Sequence, residues 1–324
     1  MADRGCDELT VHPTLEGPMA QQIWPADEPH EIVLAAGSAR LAVDLRGGGM
    51  RRLVVDDWDV IDGYPAGAVP AGSRGAVLVP WPNRVRDGRW TWRGRQLQLD
   101  VHSPDQPNAI HGLVAWQPWT VLEQTATSTA VGTVLQPHPG YPFRLAVALD
   151  YELAPDRVGV TMRVRNLGTE AAPLGVGMHP YLHVGANEDG GIGGAELGVP
   201  ARTALDTDGG LPTGTTHRFH GDVGRIGHRA FDTPLTDLER DEDGWARVRL
   251  RGPLGELVLA VDGAWSWLQI YTGDTLPEGQ RRRSLAVEPM TCPPNALADD
   301  RDLLVLEPGA DWAGTWELAW TAAG

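Results

Sequence analysis

Apolar and polar residues alternate with a period of two through much of this chain. The pattern is clearest from Phe143 to Leu153, where Phe143, Leu145, Val147, Leu149, Tyr151 and Leu153 share one face. Ala154-Pro155-Asp156-Arg157 then reads as a turn, and Val158, Val160, Met162 and Val164 resume the alternation. Together they predict a hairpin with one buried face. Shorter runs of the same kind occur at Ile32–Leu34, Leu41–Leu45, Leu53–Val55, Ala76–Val79, Leu97–Leu99, Val248–Leu250, Leu257–Val261, Trp267–Tyr271, Leu303–Leu306 and Trp316–Trp320. Turn residues separate them at short intervals, drawn from 40 Gly and 26 Pro. No amphipathic helix of ten residues or more stands out. The expectation is an all-β protein, a large twisted β-sandwich.

Residues 1–28 are polar and without period, and read as a poorly ordered N-terminal tail. Residues 29–324 read as a single domain, with no linker and no repeat. The stretch 185–230 is the least regular, with glycine clusters at 190–194 and 209–214. It is either a set of ordinary long loops or a flap beside a ligand.

Charge and cysteine content narrow the function. The chain carries 27 basic and 43 acidic residues, a net charge of −16. That argues against nucleic acid and anionic membrane surfaces as partners. Two cysteines, Cys6 and Cys292, make neither a disulfide framework nor a metal set. There is no signal-peptide pattern at the N-terminus and no apolar run long enough to span a bilayer, so a cytoplasmic location is expected.

The strongest chemical signal is Leu285-Ala-Val-Glu288-Pro-Met-Thr-Cys-Pro-Pro-Asn295-Ala296. It places one carboxylate at the end of an apolar strand and fixes it with proline. Burial there should raise the Glu288 pKa and suit it to general base work near neutral pH. Pro80-Trp81-Pro82-Asn83-Arg84 and Gly177-Met-His179-Pro180-Tyr181 repeat the device. His111, before Gly112, and Arg84, Arg86 and Arg89 complete the candidates. A lone His or Arg in a β protein is more often structural, so their weight comes from their company with Glu288.

Other chemistries find little support. His179 and His183 have helical metal spacing, but Pro180 and the β pattern oppose a helix there. No metal and no organic cofactor is expected. No Gly-x-Ser-x-Gly elbow and no P-loop occurs. Thirteen tryptophans stand against three phenylalanines. Indole faces suit the C–H faces of sugars, although core packing accounts for most such rings. Trp81, held between prolines, is the best ligand platform on sequence grounds.

Taken in order, Pro80–Gly88, Asn108-Ala-Ile-His111-Gly112, Gly140-Tyr-Pro-Phe143, His179-Pro-Tyr181, Phe231-Asp232 and Glu288–Ala296 resemble the aldose 1-epimerase (mutarotase) family from about residue 30 onwards. The resemblance implies a galactose mutarotase-like sandwich with a sugar in an open cleft. It implies that Glu288 is the general base at the C1 hydroxyl and His179 the general acid at the ring oxygen. His111, Arg84, Asp232, Asn83, Trp81 and Tyr181 would bind the sugar. The partner would be an aldohexose, and the protein a monomer or homodimer. Leu182 stands where the galactose-specific branch often carries Asn, and Pro-Trp-Pro framing is unusual there. The chain therefore looks closer to a bacterial branch with less well defined substrates.

Two alternatives follow. Arg281-Arg282-Arg283 could recognise an anionic group, making the substrate a hexose phosphate or similar sugar, or could be a solvated loop. A carbohydrate-binding protein without catalysis is the other reading.

Overall fold

The computed structural model describes residues 30–101, 107–185 and 191–324. The expected tail at 1–28 lies outside the described residues. From Glu31 to Gly324 the chain forms one compact unit. Among the described residues it consists of two large sheets, one of 12 strands and one of nine, with three small two-stranded sheets.

The predicted hairpin is present. Leu145–Leu153 pairs antiparallel with Arg157–Asn166, in a register running from Leu145 opposite Asn166 to Leu153 opposite Val158. Leu145, Val147, Leu149, Tyr151 and Leu153 are buried, as are Val158, Val160, Met162 and Val164. Asp311–Ala322 pairs on the far side of Arg157–Asn166 and joins it to Gly255–Val261. This nine-stranded sheet supplies much of the core, including Trp316 and Leu318. Apolar burial of this kind contributes about 25 cal/mol per Å².

The 12-stranded sheet carries Glu288, Gln269 and Asp232. Within it Tyr181–Leu182, Leu285–Met290, Trp267–Tyr271, Asp232–Leu238 and Ala201–Asp208 lie side by side in that order. Leu285–Met290 is buried at every position, and so reads in sequence as an unbroken apolar run around one carboxylate. Among the described residues the only α-helix is the four-residue turn Ala296–Asp299.

The stretch 185–230 differs from its irregular appearance in sequence. Residues 186–190 lie outside the described residues, but Glu196–Gly198, Ala201–Asp208, Leu211–Arg218 and Asp222–Arg225 are strands. Leu211–Arg218 ends the 12-stranded sheet and is exposed at most positions. With both faces largely in water it has no reason to alternate, and the period-two signal vanishes.

Candidate active site

Strand register brings three polar side chains together. Gln269 stands directly opposite Glu288 across the antiparallel pair of Trp267–Tyr271 and Leu285–Met290. Gln269 Nε2 donates to Asp232 Oδ1 at 2.5 Å. Asp232 opens the next strand, where it faces Tyr271. Nothing in the sequence had singled out Gln269. Its only signal was a polar residue inside the apolar run Trp267-Leu268-Gln269-Ile270.

His179 arrives from a different segment. Its N–H donates to Ala76 O, and its carbonyl accepts from the Gly75 N–H. These bonds set the imidazole so that Nε2 lies 3.3 Å from Glu288 Oε1. The two residues are only 4% and 2% exposed, so the pair is withdrawn from water. Burial drives Glu288 well above its ordinary carboxylate range, and the nearby Asp232 charge adds to that. Arg84 opposes the shift without cancelling it. Burial likewise depresses His179 to about 3, with Arg74 and Arg84 lowering it further. Both directions favour the uncharged forms. Removal of both groups from water is the reason.

A second set is built around Asn83. The Asn83 N–H donates to His111 Nδ1 at 3.2 Å, and the His111 N–H donates to Asn83 O. Because Nδ1 accepts, the proton of neutral His111 sits on Nε2, which is a donor. Burial, with help from His179 and Arg84, keeps the His111 pKa well below its usual value. Asn83 Oδ1 accepts from the Arg84 N–H at 2.9 Å and from Arg84 Nη1 at 3.1 Å. The His111 and His179 rings meet edge to face, 5.3 Å apart. The turn between Ala201–Asp208 and Leu211–Arg218 also reaches Arg84. A Cβ on Gly210, whose φ is +77°, would lie 2.4 Å from Arg84 Nη1.

Three residues expected to touch a ligand are buried. Trp81 is 2% exposed and packed in the main core. Asn83 is 3% exposed, and its carbonyl oxygen is occupied by Arg84. Tyr181 is fully buried, with its ring stacked on His179 at 5.0 Å and its hydroxyl donating to Gly72 O. Asn83 and Tyr181 thus position other groups. Proline-framed polar motifs locate a site in sequence without showing which of their members face it.

The arginine run is largely committed within the protein. Arg282 Nη1 reaches Asp274 at 2.7 Å, and Arg283 pairs with Asp62. His183 Nδ1 lies 2.9 Å from Asp59 O, so it is engaged away from His179. Cys292 is buried, which pushes its thiol up to about 12.

Several buried polar atoms around the pair have no partner among the described residues: Glu288 Oε2, His179 Nδ1 and Gln269 Oε1. Such atoms are uncommon in folded proteins and mark places where a ligand or water completes the bonding. With the Arg84 guanidinium and His111 Nε2–H, the site offers donors, acceptors and one transferable proton. That inventory suits a polyhydroxylated ligand undergoing proton transfer.

Comparison with known proteins identifies the family and the fold. A sequence profile of the aldose 1-epimerase family matches residues 30–319. The uncharacterised protein YihR of Escherichia coli (strain K12) is 33% identical over 282 residues, covering 86% of this chain and 89% of that protein. The structure of an aldose epimerase homologue from C. elegans superposes with a TM-score of 0.78 at 15% identity, covering 91% of this chain and 99% of the other. That of galactose 1-epimerase from Lactobacillus acidophilus gives 0.74 at 18% identity, covering 91% and 95%. The fold is galactose mutarotase-like, and the chain belongs to the aldose 1-epimerase family.

Proposed function

We propose that this protein is a mutarotase that interconverts the α and β anomers of an aldohexose by general acid–base chemistry. The observation that carries the proposal is the 3.3 Å approach of His179 Nε2 to Glu288 Oε1 beside unpaired buried polar atoms.

A pyranose opens when O1 loses a proton and O5 gains one. Glu288 and His179 hold one proton between them. In the ion-pair form, the Glu288 carboxylate takes the O1 proton while His179 gives its proton to O5. The C1–O5 bond breaks, and O1 becomes the carbonyl oxygen of an open-chain aldehyde. The protein is left with a neutral carboxyl group and a neutral imidazole, the form that burial favours. The ion-pair form must therefore be reached with sugar bound. Donation from the O1 hydroxyl to the carboxylate favours it.

Rotation about C1–C2 presents the other carbonyl face. His179 then removes the proton from the O5 hydroxyl, O5 attacks C1, and Glu288 protonates O1. The pair returns to its starting protonation, so no proton is gained or lost. His111 Nε2–H and Arg84 are suited to hold sugar oxygens as donors. Asp232 and Gln269 Oε1 are suited to accept from sugar hydroxyls. Polarimetry of freshly dissolved aldose anomers, with the unmodified chain and with Glu288→Gln, tests the reading.

A further inference from the structure

We propose that the cavity lined by His111 and Trp116 is a second sugar subsite, which accepts the non-reacting pyranose of a reducing disaccharide with Trp116 as its stacking platform. This rests on the mutarotase reading for the first ring.

The tryptophans suggested sugar platforms, and the structure separates them. Among the described tryptophans Trp116 alone is exposed, at 54%. It lines a cavity of about 230 Å³ together with Arg46, Tyr64, Ser73, Arg74 and His111. His111 belongs also to the catalytic cluster, through its edge contact with His179. Glu288, His179, Arg84, Asp232 and Gln269 do not line the cavity. The ring being opened must lie against Glu288 and His179, so the cavity is left for what is attached to that ring. Its size fits one small ring, since pockets for drug-sized ligands run to about 300–1,000 Å³.

The platform is held in place although it is exposed. The Gly47 N–H donates to Gln117 O at 2.9 Å, and Arg46 bridges to Pro118. The Trp119 N–H donates to Leu45 O at 2.7 Å. A Cβ on Gly47 would lie 2.2 Å from Ala115 O, and one on Gly49 only 1.8 Å from Gly75 O. The walls therefore depend on backbone contacts that glycine alone permits. The Arg46 guanidinium lies 5.9 Å from the Trp116 ring centre, and Arg46 is itself tied to Asp44 and to Ala68 O. An exposed indole face beside polar side chains matches the apolar and polar faces of a pyranose. Uncharged sugar also suits the arginines, because Arg46 and Arg74 already face Asp44 and Asp62.

Anomer equilibration of glucose, maltose and cellobiose is measured with the unmodified chain, Trp116→Ala and Trp116→Phe. Trp116→Ala should raise KM for at least one disaccharide roughly tenfold, matching the loss of one aromatic stacking contact. It should leave kcat/KM for glucose within about twofold of the unmodified value, and Trp116→Phe should recover most of the loss. Equal effects of Trp116→Ala on glucose and on both disaccharides would overturn the subsite, as would no effect on any. If no sugar is turned over, the mutarotase reading has failed. Saturation-transfer NMR with maltose and cellobiose then decides the subsite separately. Binding lost in Trp116→Ala supports it, and absent or unaltered binding overturns it.

Discussion

Gln269 faces Glu288 across two paired strands, and its amide nitrogen holds Asp232 at 2.5 Å. One neutral side chain thus links the carboxyl group assigned to proton transfer with the carboxylate assigned to sugar hydroxyls. It does so without adding charge to a site that already contains two acids.

Gln269→Ala is expected to release Asp232 and remove an acceptor for sugar. KM should rise roughly tenfold with a smaller change in kcat, the signature of lost binding shared by ground and transition states. Steady-state polarimetry over a range of sugar concentrations checks this. A fall in kcat alone would mean that Gln269 acts on the chemical step instead.

Gly210→Ala should reduce activity from a turn far from Glu288 in sequence. The new methyl group would contact Arg84 Nη1, and the guanidinium is the part free to move. A φ of +77° also disfavours alanine, by about 1 kcal/mol or more of stability. The expected result is a several-fold loss of kcat/KM, of the size a misplaced hydrogen bond brings, with a folded protein by circular dichroism. Unchanged kinetics would show that this turn does not help place Arg84.

The pH dependence of stability follows from the buried pair. Glu288 titrates well above its ordinary value of 4.5 in the folded chain. Below 4.5 both folded and unfolded states are protonated, so it contributes nothing. As pH rises above that value the unfolded state ionises freely and the folded state does not, so stability is lost up to the folded pKa. His179 runs the other way. Its value falls from 6.5 to about 3, so the unfolded state binds more protons in that window and stability is lost as pH falls through it. Glu288→Gln removes the first effect. Its Tm relative to the unmodified chain should differ least at about pH 4 and become more positive as pH rises above 4.5. A constant difference across that range would contradict the buried, proton-retaining state of Glu288.

Much of this was legible in the sequence, for reasons visible in particular residues. Strands with one buried face, such as Leu145–Leu153, announce themselves by alternation. Leu211–Arg218 does not, because it lies at a sheet end with most side chains in water. Glu288 and His179 stood out as polar groups fixed by proline within apolar runs. Gln269 did not, because its role comes from cross-strand register, which one strand cannot reveal. Trp81 and Trp116 show the same limit from the other side. Proline framing pointed to Trp81, but packing buried it and left Trp116 exposed beside His111. The upward shift of Glu288 was legible from the apolar run around it, whereas the depression of His179 was not, since it depends on two segments being desolvated together.

The account turns on proton transfer between one sugar and the Glu288–His179 pair. The direct measurement is the rate at which fresh α-glucose, α-galactose and other aldoses approach anomeric equilibrium, with the unmodified chain, Glu288→Gln and His179→Gln. The account predicts acceleration of at least one sugar over buffer, and a loss of about 10²–10⁴-fold in either variant. Equilibration of every aldose at the buffer rate, or full activity in Glu288→Gln, would contradict it.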